Sequence, residues 1–313
     1  MLRVILRRLA LSVPILFIVS ILTFLLTGLV PGNPATTILG TNATPDSIAA
    51  LDRQLGFDQP LLVRYWEWLS AAVTGNLGTS LFSHQPVVQI LSAALPITLT
   101  LIVGSVLVSA VAGALLGTIS ANRSSSGGRV IAVFSVLGYA IPPFFLGLLL
   151  VLVFANSIEL LPPSGWVDPG QSFSGWLTSI ILPILTLAIP GTAVVARQTR
   201  QGMLDVLSRD YIRSLRARGI PRRTVIYKHA LRNASGDVLT LLGLYVVSLL
   251  LGTTLVETVF SIQGLGSIAV NATTQHDLPV LQGAALYFTL IVVASFLIVD
   301  IARAAMNPKL RTS

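Results

Sequence analysis

Long apolar runs divide the chain into alternating membrane and loop segments. The runs cover residues 9–30, 95–119, 130–155, 178–196, 238–259 and 284–302. Each is long enough to cross a hydrocarbon core of roughly 30 Å as an α-helix. None alternates polar and apolar positions over about ten residues, as the strands of a membrane barrel do. The pattern therefore predicts an all-α membrane protein with six transmembrane helices.

The basic residues lie almost entirely on one side of these predicted spans. All but two of the 20 Lys and Arg residues precede the first span, lie between the second and third or between the fourth and fifth, or follow the sixth. The exceptions, Arg53 and Arg64, fall among several acids in a long outer loop, residues 31–94. Because cytoplasmic loops carry the excess of Lys and Arg, both termini are predicted to be cytoplasmic.

Composition agrees with a chain that is solvated mostly by lipid. Of its 313 residues, 53% are hydrophobic and only 10% are charged, against roughly 25% charged residues in a soluble domain. The net charge of +8 follows from membrane orientation and gives no reason to expect nucleic acid binding. The first apolar run exceeds the roughly 7–15-residue core of a signal peptide, so it is predicted to remain as a span. Residues 1–313 are expected to form a single transmembrane domain.

The outer loop contains two segments with helical spacing and a cluster of aromatic residues. Residues 46–55 and 60–72 are predicted to be short helices. Tyr65, Trp66 and Trp68 in the second segment are residue types that favour the membrane interface. The loop is expected to cap a pore, to meet an external partner, or only to anchor at the interface.

The loop between the fourth and fifth spans, residues 197–237, is the most informative part of the chain and is called the basic loop below. Its stretch 210–234 is rich in Arg and Lys and contains a single acid, Asp210. A basic segment at the cytoplasmic face suggests a surface on which a partner docks. Contact with anionic lipid is the alternative, since it needs the same charge.

Within the basic loop, the spacing of apolar residues predicts two short helices separated by a tight turn. Tyr211, Ile212 and Leu215 recur at helical intervals and would form a small apolar stripe on the first helix. Gly219 suits a left-handed helix stop, and Pro221 suits the beginning of the next helix. The second helix is expected to lead into the fifth span.

The sequence contains no recognisable catalytic or metal-binding constellation. His84, His229 and His276 fall in different loops, so no metal site is expected. A nucleotide-binding P-loop needs Gly-Lys-Ser/Thr, and neither lysine of the chain stands in that context. The chain is therefore predicted to be non-catalytic, with no catalytic residue and no cofactor of its own. Any ATP-driven step requires another subunit.

The predicted spans contain few groups that could couple transport to ions. Glu257 and Asp300 are their only ionisable residues, which argues against an ion-coupled carrier. Asp300 stands three residues before Arg303 and is expected to pair with it. Glu257 approaches the outer end of the fifth span, where water is expected to reach it. Energy is therefore expected to arrive through a loop.

Short motifs occur in a characteristic order along nearly the whole chain. In the basic loop they are Asp210-Tyr211-Ile212-Arg213, Ala217-Arg218-Gly219 and HALRNA at 229–234. Elsewhere they are PGNPA at 31–35, LGFDQPL at 55–61, GNLG at 75–78, LPPSG at 161–165, ETVF at 257–260 and GLG at 264–266. In this order they resemble the permease subunits of bacterial ABC importers, specifically the dipeptide and oligopeptide type.

The resemblance implies a type I ABC importer permease in the bacterial cytoplasmic membrane. It implies that the 210–219 helix is a coupling helix seated on a cytoplasmic ATPase, with ATP and Mg bound by partner subunits. The other implied partners are a second homologous permease, a second ATPase, an extracytoplasmic peptide-binding protein and membrane lipids. The chain looks like the first-encoded permease of the pair. The residues implied in ATPase docking are Asp210, Tyr211, Ile212, Arg213, Leu215, Ala217, Arg218, Gly219, His229, Leu231, Arg232 and Asn233.

Two stretches depart from the family's pattern, and the cargo stays open. Arg213-Ser214-Leu215 stands where the general motif has Glu-Ala-Ala, and Ser235-Gly236-Asp237 replaces apolar and Pro residues before the fifth span. Both affect the detailed fit to an ATPase. The same architecture importing a nickel chelate, glutathione or haem is the first alternative, and a membrane scaffold or receptor is the second. No substrate-binding residue is identified by the sequence.

Overall fold

The described part of the chain is helical throughout. The computed structural model describes residues 2–29, 33–122, 138 and 141–306, which contain no β-strand, only an isolated bridge between Thr79 and Pro86. A π-helical turn, Val151–Ser157, continues the helix Pro143–Leu150, and another, Val225–Ala230, joins the helix Arg222–Thr224 to the helix Leu231–Val259. The helices are α1 (Leu2–Leu29), α2 (Pro34–Leu39), α3 (Pro45–Gln54), α4 (Leu61–Val73), α5 (Val87–Asn122), α6 (Pro143–Leu150), α7 (Phe173–Leu207), α8 (Asp210–Ala217), α9 (Arg222–Thr224), α10 (Leu231–Val259), α11 (Leu265–Gln275) and α12 (Leu278–Met306).

Among the described residues, five helical segments are long and apolar enough to cross a membrane. They are Arg8–Gly28, Val87–Ala121, Phe173–Leu207, Arg222–Val259 and Leu278–Ala305, and they overlap the first, second, fourth, fifth and sixth predicted runs. A shorter apolar segment, Pro143–Ser157, covers the second half of the third run. The prediction of an all-α membrane protein is confirmed.

Some predicted features lie outside the described residues. They are the end of the first run and the turn after it (Val30, Pro31 and Gly32), residues 130–137, 139 and 140 of the third run, and the basic residues Arg123, Arg129, Lys309 and Arg311.

Hydroxyl groups from neighbouring helices support α7 beside Pro190, where the hydrogen-bond ladder of the helix is interrupted. The helix continues through Pro183 and Pro190, and proline has no N–H to donate within a helix. Near Pro190, Ser109 of α5 donates to the Ala188 carbonyl over 3.0 Å, and Tyr245 of α10 donates to the Leu187 carbonyl over 2.5 Å. These bonds tie α5 and α10 to α7 beside the interruption.

The described residues group into two compact units. The first comprises Leu99–Ile262 with the two ends of the chain, and it contains the basic loop. The second comprises Arg7–Thr98 and Gln263–Val293, and it contains the outer loop.

In the second unit, aromatic packing fixes α4 against α1. Tyr65 of α4 is buried, its ring centroid lies 5.3 Å from that of Phe24, and its hydroxyl lies 2.9 Å from that of Ser20. Trp66, in contrast, is exposed. Tyr65 therefore holds α4 in place instead of facing the membrane interface.

A cation–π contact adds to this packing. The Cζ atom of Arg64 lies 4.6 Å from the centroid of the Phe57 ring, and partial burial lowers the pKa of the Arg64 guanidinium below its usual value. A partly desolvated cation gains more from an aromatic face than an exposed cation does.

A buried carboxylate fixes the end of the outer loop. Asp277, between α11 and α12, accepts from the Ser80 hydroxyl over 2.5 Å and from the Leu81 backbone N–H over 3.3 Å. The Ser80 oxygen in turn accepts from the backbone N–H groups of Phe82 and Ser83. Because each donor of this turn has an acceptor, the segment 80–83 is held in one conformation. Nothing in the sequence indicated this role for Asp277.

Candidate functional site

The basic loop begins within the last turns of α7, which ends at Leu207, and α8 begins at Asp210. The backbone N–H of Ile212 donates to the Arg209 carbonyl over 3.0 Å, which closes the first turn of α8. Asp210 lies in the first turn and Arg216 in the last. Each charge therefore complements the helix dipole at its own end. The first of the two helices predicted in the basic loop is present as Asp210–Ala217.

One face of α8 is anchored in an apolar cluster of the same chain. The side chain of Ile212 is 0% exposed and contacts a cluster formed by both ends of the basic loop. Leu215 and Ile220 pack against this cluster from the side. Its other buried members are Met203 and Val206 of α7, Val225, Ile226 and Ala230 of the π-helical turn, and Ala234 of α10. The helices α7, α8 and α10 therefore share one closely packed core.

The end of α8 is set by backbone geometry at Gly219. This residue has φ = +73°, and a Cβ added there would meet no other atom within 4 Å. Its N–H donates to the Arg216 carbonyl over 3.0 Å, and the N–H of Ile220 donates to the Leu215 carbonyl over 3.2 Å. Pro221 then precedes α9 as its N-cap. Gly219 is needed here for its left-handed conformation and not for space, so the predicted stop is confirmed.

The opposite face of α8 is exposed. Asp210, Arg213, Ser214 and Ala217 share it, at positions i, i+3, i+4 and i+7 of the helix, and all four are exposed. A carboxylate oxygen of Asp210 lies 3.8 Å from a guanidinium nitrogen of Arg213. The middle of the face carries only the short side chains of Ser214 and Ala217. A surface of this shape lets another protein approach the helix closely.

A hydrogen bond joins α8 to the beginning of α10. The Asn233 side-chain amide donates to the Tyr211 hydroxyl over 2.8 Å. The sequence placed Tyr211 in the apolar stripe, and the structure instead leaves it exposed at the edge of that stripe. This bond fixes the direction of α8 relative to α10 from outside the apolar cluster.

The remaining predicted docking residues lie at the end of α8 and in the segment that leads into α10. Arg218 is exposed beside the helix stop, and Arg232 is exposed in α10. His229 lies partly buried in the π-helical turn, and Leu231 packs against the apolar cluster. Of the residues selected from sequence, the structure brings Ile212, Leu215 and Leu231 to one apolar cluster and joins Tyr211 to Asn233.

Close helix packing supports α7 just before it enters the basic loop. A Cβ added at Gly113 of α5 would lie 2.6 Å from the Val195 side chain, and one added at Gly117 would lie 2.5 Å from the Ala196 carbonyl oxygen. Any larger residue at these positions would force α5 and α7 apart. The sequence pattern of two glycines four residues apart is one signal for such contacts.

The environment of Glu257 differs from the expectation. Its side chain is 0% exposed, so the expectation that water reaches it is wrong for the described chain. Beside it, the N–H of Gly165 donates to the Phe260 carbonyl over 2.8 Å. A backbone hydrogen bond therefore joins the stretches 161–165 and 257–260, which are distant in sequence.

A cavity of about 310 Å³ lies among α6, α7 and α10 in the first unit. Leu187, Pro190 and Leu244 contribute to an apolar lining, in which Tyr245 and Ser248 are the polar residues. The cavity adjoins the Pro190 interruption. Its position was not evident from sequence, because no pattern indicated which faces of these helices meet.

Comparison with known proteins identifies the family. Residues 111–312 match the family described as binding-protein-dependent transport system inner membrane component, and residues 1–102 match its N-terminal membrane component family. The chain is 37% identical over 310 residues to a probable peptide ABC transporter permease protein of Sinorhizobium fredii, with 98% of each chain covered. It is 40% identical over 312 residues to the glutathione transport system permease protein GsiC of Escherichia coli, with 99% of each chain covered. The chain therefore belongs to the binding-protein-dependent transport system inner membrane components, and it is a multi-pass inner-membrane permease of the type I ABC transporter fold.

Proposed function

We propose that the chain is the first-encoded permease subunit of an ATP-driven importer that moves dipeptides and oligopeptides into the cytoplasm. In this proposal it has no catalytic residue, and ATP and Mg are bound by two partner ATPases. A second homologous permease completes the membrane pathway, and an extracytoplasmic binding protein delivers the peptide. The name of the Sinorhizobium relative supports the cargo class.

The geometry of α8 carries the proposal. Ile212 anchors the helix in a core shared with α7 and α10, while Asp210, Arg213, Ser214 and Ala217 face outwards. A helix with one face fixed to membrane spans and the other exposed is suited to pass movement from an ATPase to those spans. A lipid-binding loop would need no such fixed attachment.

Glutathione is the cargo with the best specific support after dipeptides and oligopeptides, because GsiC is similar to this chain over nearly its whole length. Glutathione is itself a short peptide with one γ-linkage, so both cargoes share amide groups and terminal charges. Uptake of labelled glutathione and of a labelled dipeptide by transport-competent vesicles, each measured with the other compound as unlabelled competitor, separates them. Glutathione uptake that excess dipeptide does not suppress, without uptake of the dipeptide, would assign the glutathione cargo.

Partner recovery tests the proposed function directly. The full-length tagged chain is extracted gently from its native membrane, and its stoichiometric partners are identified by mass spectrometry. We expect a second permease and two P-loop ATPases. Recovery of the chain alone or as a homo-oligomer, under conditions that preserve a known importer, would contradict ATP-driven import.

A substitution in the basic loop tests whether the position of α8 matters for transport. A bulkier residue at Leu215, such as in Leu215→Trp, is expected to tilt α8 because Leu215 packs against the apolar cluster. Uptake should be lost while membrane insertion is retained. Uptake at the normal rate would show that the position of α8 does not matter for transport.

A further inference from the structure

The exposed face of α8 carries two charged groups, the Arg213 guanidinium and the Asp210 carboxylate. The Ser214 hydroxyl donates to the Asp210 carbonyl of the same helix over 3.3 Å, and Ala217 has no polar side-chain atom. A partner that approaches the middle of this face therefore meets small side chains. The charged groups it meets on this face are the side chains of Arg213, which is 79% exposed, and Asp210, which is 97% exposed.

Asp210 neutralises Arg213 only weakly. Their closest charged atoms are 3.8 Å apart, and the Asp210 side chain is 97% exposed. Exposed ion pairs of this kind stabilise a protein little, so the guanidinium can exchange Asp210 for another acid at low cost. The residues around it add further positive charge. The other exposed arginines of residues 209–223 are Arg209, Arg216, Arg218, Arg222 and Arg223.

The apolar residues of α8 favour a protein over a membrane as the partner of this face. Helices that bind a lipid surface insert large apolar side chains between the headgroups. Here Ile212 and Leu215 are already packed in the cluster of the same chain, and Ala217 is the apolar residue of the outer face. A protein cleft, in contrast, gains from short side chains, because they let it close around the helix.

We propose that the cleft that receives α8 is acidic and that it places one or more carboxylates against Arg213. Arginine binds carboxylates through two parallel N–H donors, which fixes orientation as well as adding attraction. This inference rests on the proposed function, since it describes the ATPase subunit on which α8 would dock. It specifies that the docking surface of that subunit is acidic and that Arg213 is the residue that binds it.

Charge reversal at Arg213 tests the proposal. The full-length tagged chain, wild type or Arg213→Glu, is purified with the ATPases that accompany it and placed in phosphatidylcholine nanodiscs. ATPase retention is then measured while NaCl is raised. We expect wild-type retention to fall with salt and Arg213→Glu to weaken it about tenfold at low salt, because an attractive pair becomes repulsive. Arg213→Gln should be intermediate.

The matched control is Arg53→Glu, which changes the net charge equally at an exposed residue of α3 in the outer loop. It should retain the ATPases as the wild type does. Insertion is compared by the amount of each variant in the membrane. If Arg213→Glu inserts poorly, Arg213→Gln, which adds no negative charge, takes its place in the comparison.

Three results would overturn the proposal. Equal ATPase retention by wild type and Arg213→Glu at every salt concentration would show that no acidic cleft binds Arg213. The proposal that α8 docks on an ATPase would be unaffected by this result. Weakening that appears only in nanodiscs containing phosphatidylglycerol would make the membrane the partner. Absence of ATPases from the wild-type preparation would remove the proposed function as well as this inference.

Discussion

Substitution of Gly219 separates backbone strain from packing at the end of α8. The residue has φ = +73° with no atom within 4 Å of an added Cβ, so a side chain there is strained but not crowded. An L-residue in this conformation costs about 1–2 kcal/mol, and Asn tolerates it best among non-glycine residues. A free-energy cost of that size lowers the population of the left-handed conformation at the end of α8, relative to other conformations, by roughly 5–30-fold. Coupling should therefore decline in the order Gly219, Gly219→Asn, Gly219→Ala, Gly219→Val.

The assay is uptake of a labelled dipeptide by proteoliposomes that contain the purified complex, with ATPase retention measured in parallel. Gly56→Ala is the matched control, because Gly56 has φ = +72° and likewise no atom within 4 Å of an added Cβ. It lies in the outer loop, so its strain should lower stability to a similar degree. ATPase retention should stay at the wild-type level in this control.

Two outcomes would refute the reasoning. Wild-type uptake by Gly219→Val would show that the left-handed stop is not needed for transport. Equal losses in Gly219→Ala and Gly56→Ala, with ATPases retained in both, would show that general destabilisation and not the position of α8 limits uptake.

Other predictions concern packing and hydrogen bonding. Ile212→Ala should destabilise the apolar cluster by about 2–5 kcal/mol and speed hydrogen exchange across 210–217, and unchanged exchange would contradict an anchoring role. Gly117→Ala should lower the melting temperature in detergent, because its Cβ meets the Ala196 oxygen at 2.5 Å. Gly236→Ala should raise stability by up to about 1 kcal/mol, because an added Cβ there meets no atom within 4 Å and Ala favours the helix. If Gly117→Ala and Gly236→Ala both raised or both lowered stability, this reasoning would be contradicted. Asp277→Ala should leave the Ser80 hydroxyl and Leu81 N–H unpaired, at about 1–3 kcal/mol each. Exchange of the amides of residues 81–83 should then accelerate, which the exposed control Asp58→Ala should not cause.

The local structure of the basic loop was largely predictable from sequence. Helix spacing at Ile212 and Leu215 indicated α8, and Gly219 followed by Pro221 indicated its end. These signals are local, because they depend on the period of the helix and on backbone conformations that only a few residue types adopt. The structure placed each of them as predicted.

Long-range partners were not predictable in the same way. Neither the bond from Asn233 to Tyr211 nor the bonds from Ser80 and Leu81 to Asp277 has a sequence signature. Each depends on which helix faces meet, and many faces of apolar helices look alike in sequence. The burial of Glu257 was missed for this reason: its position near the end of a span suggested water, while packing around α10 excluded it.

The sequence by itself determined the membrane class, the predicted orientation and the family, because apolar run length, the distribution of Arg and Lys, and the order of short motifs are linear properties. The tertiary structure alone decided which face of α8 is anchored and which is exposed. It also decided where the cavity beside Pro190 lies. Both depend on the simultaneous packing of residues distant in the chain, such as Met203, Ile212 and Ala234. Close packing selects among helix faces that hydrophobicity alone leaves equivalent.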